Sequence, residues 1–179
     1  MSETNLAELD KLVQLFHDDV KQLGAVQSVS ASQIPEPQRS LLDHNLHMTV
    51  TLEKFHSSLV DVHVMQQHES DDDVYNREIR LHRQSDGNLV QYGIVRLNFK
   101  HLDAEVQTEI RNQSAPLGRI LIEHDVHRRV QLLCLYEIAP SEECVAKLGL
   151  GSGSNLYGRT AIIYCNNEPA IELLEVVVP

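Results

Sequence analysis

Two charged residues sit where apolar strands would be expected, and any chemistry would start with them. Glu175 stands in ELLEVVVP, residues 172–179. Strand side chains point to opposite faces in turn. Ile171, Leu173, Glu175 and Val177 therefore share one face, and Ala170, Glu172, Leu174, Val176 and Val178 share the other. Among such neighbours a carboxyl is desolvated, which favours the protonated acid unless a cation sits nearby. At a sheet edge the same residue would instead reach water. Arg77 poses the matching question in VYNREIRLHR, residues 74–83. Tyr75, Arg77, Ile79 and Leu81 form an apolar face, and Val74, Asn76, Glu78, Arg80 and His82 form the wet one. A buried arginine needs a carboxylate or a bound anion. Either Arg77 and Glu175 form a structural ion pair, or Arg77 offers a bidentate site to a ligand carboxylate.

Further arginines lie beside glycines. PLGR (116–119) and YGR (157–159) each open a predicted strand, and glycine there permits close approach of a ligand or another strand. Arg119 and Arg159 are thus either binding residues or surface arginines beside packing glycines. His44-x-x-His47 and His124-x-x-His127 lack a further ligand at an established spacing, so no metal site is expected. The sequence has no GxGxxG, P-loop, GxSxG or HExxH motif. GLGSGSN (149–155) lacks the Lys-Ser/Thr of a P-loop and precedes a strand, so it reads as a connecting loop.

The elements that must position these residues follow from periodicity. Leu6, Leu9, Leu12, Val13 and Leu15/Phe16 give helical spacing over 4–23, with Gly24 as a stop. Residues 28–40 read as a loop, with Pro37 opening a short helix, and 45–57 as a further helix. From residue 59 the period becomes two. LVDVHVMQQ, residues 74–83 and residues 88–99 read as strands, the last two joined by a hairpin at Asp86-Gly87. Residues 103–113 read as a short helix, and LGRILIEH and HRRVQLLCLYEI as strands, the latter bending near Pro140. LYGRTAIIYC and PAIELLEVVVP form a closing hairpin across Asn166–Glu168. Early helices followed by strands with short connections indicate an α+β fold. The expected organisation is an N-terminal helical arm over 1–27 and one domain over 28–179.

Composition sets outer bounds. A chain of 179 residues fits one domain with a sizeable core. A net charge of −11 opposes binding to nucleic acid or anionic lipid. Cys134, Cys144 and Cys165 form no CxxC pair, which points to a reducing compartment. The acidic N-terminus does not read as a signal peptide, and no run approaches the ~20 apolar residues of a membrane span. A cytoplasmic protein is expected.

Taken in order, HMT (47–49), YNREI (75–79), PLGR (116–119), YGRT (157–160) and ELLEVVVP resemble the chorismate pyruvate-lyase family. The resemblance covers roughly residues 35–179 and looks like a divergent branch. It implies a six-stranded antiparallel sheet with helices covering one face, an internal ligand cavity, and no metal or organic cofactor. By the same resemblance Arg77 and Glu175 match the family's active-site arginine and essential glutamate, the latter closing E-x-x-x-P. Met48 and Leu117 match positions whose backbone amides meet the ring carboxylate. The family's arginine after the third-strand glycine is here Ile94, following Gly93, and Arg96 on the same strand face is a candidate substitute.

The implied activity is elimination of pyruvate from chorismate to give 4-hydroxybenzoate. Aromatisation supplies much of the driving force, leaving the protein to hold geometry and assist one proton movement. Arg77 would bind the enolpyruvyl side, and Glu175 would orient the ring or protonate the departing group. Two other readings stand beside it. One is a non-catalytic sensor module, since a related sheet serves as the effector domain of bacterial transcription regulators. The other is an enzyme of the same fold acting on a related cyclic carboxylate.

Overall fold

A computed structural model describes residues 3–151 and 153–178. Ser152 of the glycine-serine loop and Pro179 of the E-x-x-x-P motif lie outside the described residues. In chain order the elements are α1 (Glu3–Val13), β1 (Gly24–Val29), α2 (Gln38–Leu42), α3 (Met48–His56), β2 (Val60–Glu69), β3 (Val74–Arg83) and β4 (Leu89–Asn98). They continue with α4 (Ala104–Asn112), α5 (Leu117–Glu123), β5 (Arg128–Pro140), α6 (Glu142–Leu148), β6 (Leu156–Cys165) and β7 (Glu168–Val177). Short 3-10 turns begin at Val20, Ala31 and Phe99.

The strands form one antiparallel sheet in the order β1-β5-β6-β7-β4-β3-β2. Both expected hairpins close on turn residues suited to them. Gly87 has φ +71°, and Asn166 and Asn167 both have positive φ, as tight hairpin turns demand.

Five expectations need correction. The sheet has seven strands, not six. The extra strand is β1, which crosses the division expected at residues 27/28 and pairs Gly24–Val29 with Leu135–Pro140 of β5. Gly24 begins this strand and does not stop a helix, which ends at Val13. Its φ is +137°, and a Cβ there would collide with the Ala139 carbonyl oxygen, so only glycine fits.

Helices cover both faces, not one. On one face α1 and α6 pack Leu9, Leu12, Val13 and Leu148 against Tyr92, Ile94, Leu174 and Val176. On the other, α2 to α5 pack against Ile79, Leu97, Ile171 and Val177. Double coverage explains the near-continuous apolar run of β7, because a strand buried on both sides loses its alternation.

LGRILIEH is the helix α5, not a strand. Leu117, Ile120 and Leu121 are buried at helical spacing, and Pro116 precedes the first turn. In a run this short, periods of 2 and 3.6 compete.

The β3 face expected to be wet is covered by α6 and the turn after α1, which bring Lys147 and His17 onto it, leaving Asn76 and Glu78 buried. Glu78 is satisfied there by four donors. Its Oε1 accepts from Tyr92 Oη (2.6 Å), Lys147 Nζ (2.6 Å) and His17 Nε2 (3.0 Å), and its Oε2 from Gln66 Nε2 (3.2 Å). Burial alone would raise this carboxyl, but the hydrogen bonds from His17, Lys147 and Tyr92 outweigh it and bring it to about 2.

Candidate functional site

Between the sheet and the starts of α3 and α5 lies a small, partly open cavity. Its floor follows from strand register. Arg77, Val95, Leu173 and Ala161 form one row across β3, β4, β7 and β6. Ile79, Gly93, Glu175 and Arg159 form the next, and Leu81, Gln91, Val177 and Tyr157 the third. Arg77, Glu175, Arg159 and Gln91 all line the cavity. The roof includes Met48 and Leu117, the first residues of α3 and α5, whose N-cap residues His47 and Pro116 make no side-chain capping bond.

Arg77 and Glu175 share the cavity, but the carboxylate is bonded to another arginine. Glu175 Oε2 accepts from Arg159 Nε at 2.7 Å, with side chains 9% and 1% exposed. Buried together, the two charges neutralise each other. Arg159 also donates to the carbonyls of Leu42 (3.3 Å), His44 (2.8 Å) and Leu46 (3.1 Å). These bonds fasten the strap between α2 and α3 over the site. A bond from Leu132 N to Asn45 Oδ1 (2.8 Å) and one from Arg128 Nε to His47 Nε2 (2.8 Å) complete the fastening.

Arg77 is fully buried, and none of its guanidinium nitrogens has a hydrogen-bond partner among the described residues. Burial lowers it to about 10, partly opposed by Tyr75, so it remains a cation at neutral pH. The cavity thus presents one uncompensated positive charge with five N–H donors, the requirement of a carboxylate or similar anion.

Two candidates lie elsewhere. Arg96 is on the opposite sheet face, bonded to Glu172 Oε2 at 2.5 Å, and does not line the cavity. Its neighbour Ile94 is packed beneath α1. Arg119 ties α5 to α3 through Glu53. Gly118 is a packing glycine, since a Cβ there would meet Thr49 Oγ1 at 2.9 Å. Gln91 was absent from the expected site. Its interruption of a predicted strand's apolar face was the available signal.

His47 is held low, at about 4, first by burial and then by Arg128 and Arg159. His44 and His56 are lowered chiefly by burial too. A depressed folded value means the unfolded chain binds more protons in the intervening range. The stabilisation is complete above about pH 6.5 and is lost as pH falls toward 4; Glu78 adds a second loss from about 4.5 toward 2. Thermal melts should therefore be flat from pH 8 to 7 and fall below 6.5. His47→Asn should flatten the slope between 6.5 and 4. An unchanged slope in that variant would remove His47 from the explanation.

No protein-family model matches the sequence, and no curated protein matches it. Solved structures do. Gene product SA0254 from Staphylococcus aureus superposes with TM-score 0.55 at 9% identity, covering 76% of this chain and 90% of that one. PhnF from Mycobacterium smegmatis gives TM-score 0.54 at 13% identity, covering 96% and 93%. The ligand-binding domain of a protein described as a GntR-family transcriptional regulator from Bordetella bronchiseptica gives 0.51 at 16%, covering 66% and 85%. At these identities the likenesses show the fold alone. Among the described residues no helix is long and apolar enough to cross a membrane, and no group of three metal-ligating side chains occurs.

Proposed function

We propose that this protein binds a small cyclic or aromatic monocarboxylate in the cavity between α3, α5 and the sheet. The observation that carries this reading is Arg77, a fully buried guanidinium with no partner among the described residues, lining a mainly apolar cavity. An unpaired buried charge is costly, and a bound carboxylate removes that cost through bidentate hydrogen bonds. Because Arg159 and Glu175 neutralise each other, the site favours one negative charge. The likeness to the Bordetella ligand-binding domain supports binding as the primary role.

A second reading, chorismate pyruvate-lyase activity, is favoured by one feature. Glu175 lines the same cavity as Arg77, the pairing its motifs imply. In that reading Arg77 holds the enolpyruvyl carboxylate and Glu175 orients the ring or protonates the leaving group. Chorismate is a dianion, and the position after Gly93 offers no second arginine to this cavity.

Both readings are tested in one experiment without added metal. Benzoate and 4-hydroxybenzoate are titrated calorimetrically, and chorismate is incubated with the protein while pyruvate is measured. Saturable binding at one site per chain with no pyruvate is the expected result. Pyruvate release that disappears in Glu175→Ala and Arg77→Ala would make the lyase reading primary. No binding of any carboxylate would sink the proposal.

A further inference from the structure

The cavity holds a second polar group without a partner. Gln91 is 3% exposed, and its Oε1 is buried with no hydrogen bond among the described residues. Its surroundings do not call for a carboxamide. Its neighbours across the sheet are Leu81 and Val177, and the cluster around them is built from Leu52, Ile79 and Val90. A leucine would fill such a place at lower cost, since a buried acceptor left unpaired forfeits its hydration.

We propose that Gln91 is a specificity residue that reads a hydrogen-donating substituent on the ligand. The cavity then takes a cyclic carboxylate carrying a hydroxyl or amino group at the end remote from its carboxylate. The proposal rests on the carboxylate reading above and adds the ligand's second functional group.

The geometry gives the two groups their separation. Arg77 and Leu81, the cross-strand neighbour of Gln91, are four residues apart on β3, a span of about 13 Å. The Arg77 and Gln91 side chains stand in the first and third rows of the cavity floor. The middle row between them includes Gly93. A Cβ there would stand 3.4 Å from Gln91 Nε2, 3.4 Å from Ile79 Cγ1 and 3.1 Å from the Leu174 carbonyl oxygen. Glycine therefore leaves the space beside the carboxamide nitrogen free of a side chain, and a half-turn of the amide about its last torsion presents Oε1 to that space. With Arg77 accepting the anion, the acceptor Oε1 calls for an O–H or N–H at the opposite end. A site built to hydrogen-bond a substrate group discriminates strongly against analogues that lack it.

The test uses wild type and Gln91→Leu with four probes: benzoate, 3-hydroxybenzoate, 4-hydroxybenzoate and 4-methylbenzoate. Wild type should bind the better hydroxybenzoate at least about tenfold more tightly than benzoate or the methyl analogue. In Gln91→Leu the hydroxybenzoates should bind no more tightly than benzoate. Without ligand, the variant should melt higher, by about 3 °C, because an unpaired buried amide is removed. Equal binding of all four probes by wild type overturns the Gln91 assignment and leaves the carboxylate reading standing. A preference that survives in Gln91→Leu, or a fall in its melting temperature, overturns the assignment as well. Failure of wild type to bind any probe overturns the carboxylate reading and this proposal together.

Discussion

Arg77→Leu should abolish carboxylate binding while raising the melting temperature of the unliganded protein. Both effects have one cause. Arg77 is fully buried, and its guanidinium has no partner among the described residues. Charge-assisted hydrogen bonds contribute about 1.5–3 kcal/mol each, so losing a bidentate pair weakens binding by on the order of 100-fold or more. The same group, unliganded, is a buried uncompensated charge. Replacing it by an apolar side chain of similar volume should stabilise the fold by about 1–3 kcal/mol. For a chain of this size that is a rise of several degrees. Arg77→Lys should fall between, keeping the charge and losing the planar fork. Calorimetry and thermal melts on the three proteins decide the matter. A variant that melts lower and binds as before would show that Arg77 supports the structure and does not serve a ligand.

The second large effect has the opposite sign. Arg159→Met should destabilise by about 3–5 kcal/mol, because it strands Glu175 as a buried carboxylate. It also removes the three carbonyl contacts that hold the strap at Leu42, His44 and Leu46. The double variant Arg159→Met/Glu175→Leu should recover much of the loss, since the remaining partner is then apolar. Accelerated proteolysis within residues 43–47 in the single variant would report strap release. If the double variant is as unstable as the single one, the strap contacts dominate and the ion pair contributes little.

The two variants differ because two arginines that look alike in sequence sit in different balances. YGR and YNREI each place an arginine in an apolar strand. The partner of Arg159 depends on a β-bulge. Cys165 pairs with Glu168 and Tyr164 with Pro169, but the register slips by one between Ile163 and Tyr164. Only after that slip does Arg159 lie opposite Glu175. Without it Arg159 would pair with Leu174 and point to the other face of the sheet. No local pattern announces such a bulge. Of the two arrangements that alternation left open, the Arg77–Glu175 ion pair does not form: both residues reach one cavity, but Arg159 holds the carboxylate.

Face assignment within a strand was legible for a related reason. Pleating has a fixed period, so Tyr75, Arg77, Ile79 and Leu81 had to share a side. The period does not say which side is covered. Glu78 and Asn76 looked wet because polar residues ordinarily face water, yet that face is buried, and Glu78 is met by His17 after α1, Lys147 of α6, Tyr92 of β4 and Gln66 of β2. Arg96 was placed correctly on the face of Ile94, and that face proved to be the one without the cavity. Helix against strand in LGRILIEH was likewise undecidable from so short a run, and packing of Leu117, Ile120 and Leu121 settled it.

By itself, then, the sequence misread α5 as a further strand but determined the six strands β2 to β7, the two hairpins, and the presence of Arg77 and Glu175 among apolar neighbours. Each of these follows from local periodicity and turn chemistry. Tertiary structure alone decided the seventh strand, the second helical layer, the partner of Glu175 and the isolation of Arg77 and Gln91. Those depend on contacts between residues distant in the chain, where register, bulges and coverage of each face select which charges meet and which are left for a ligand.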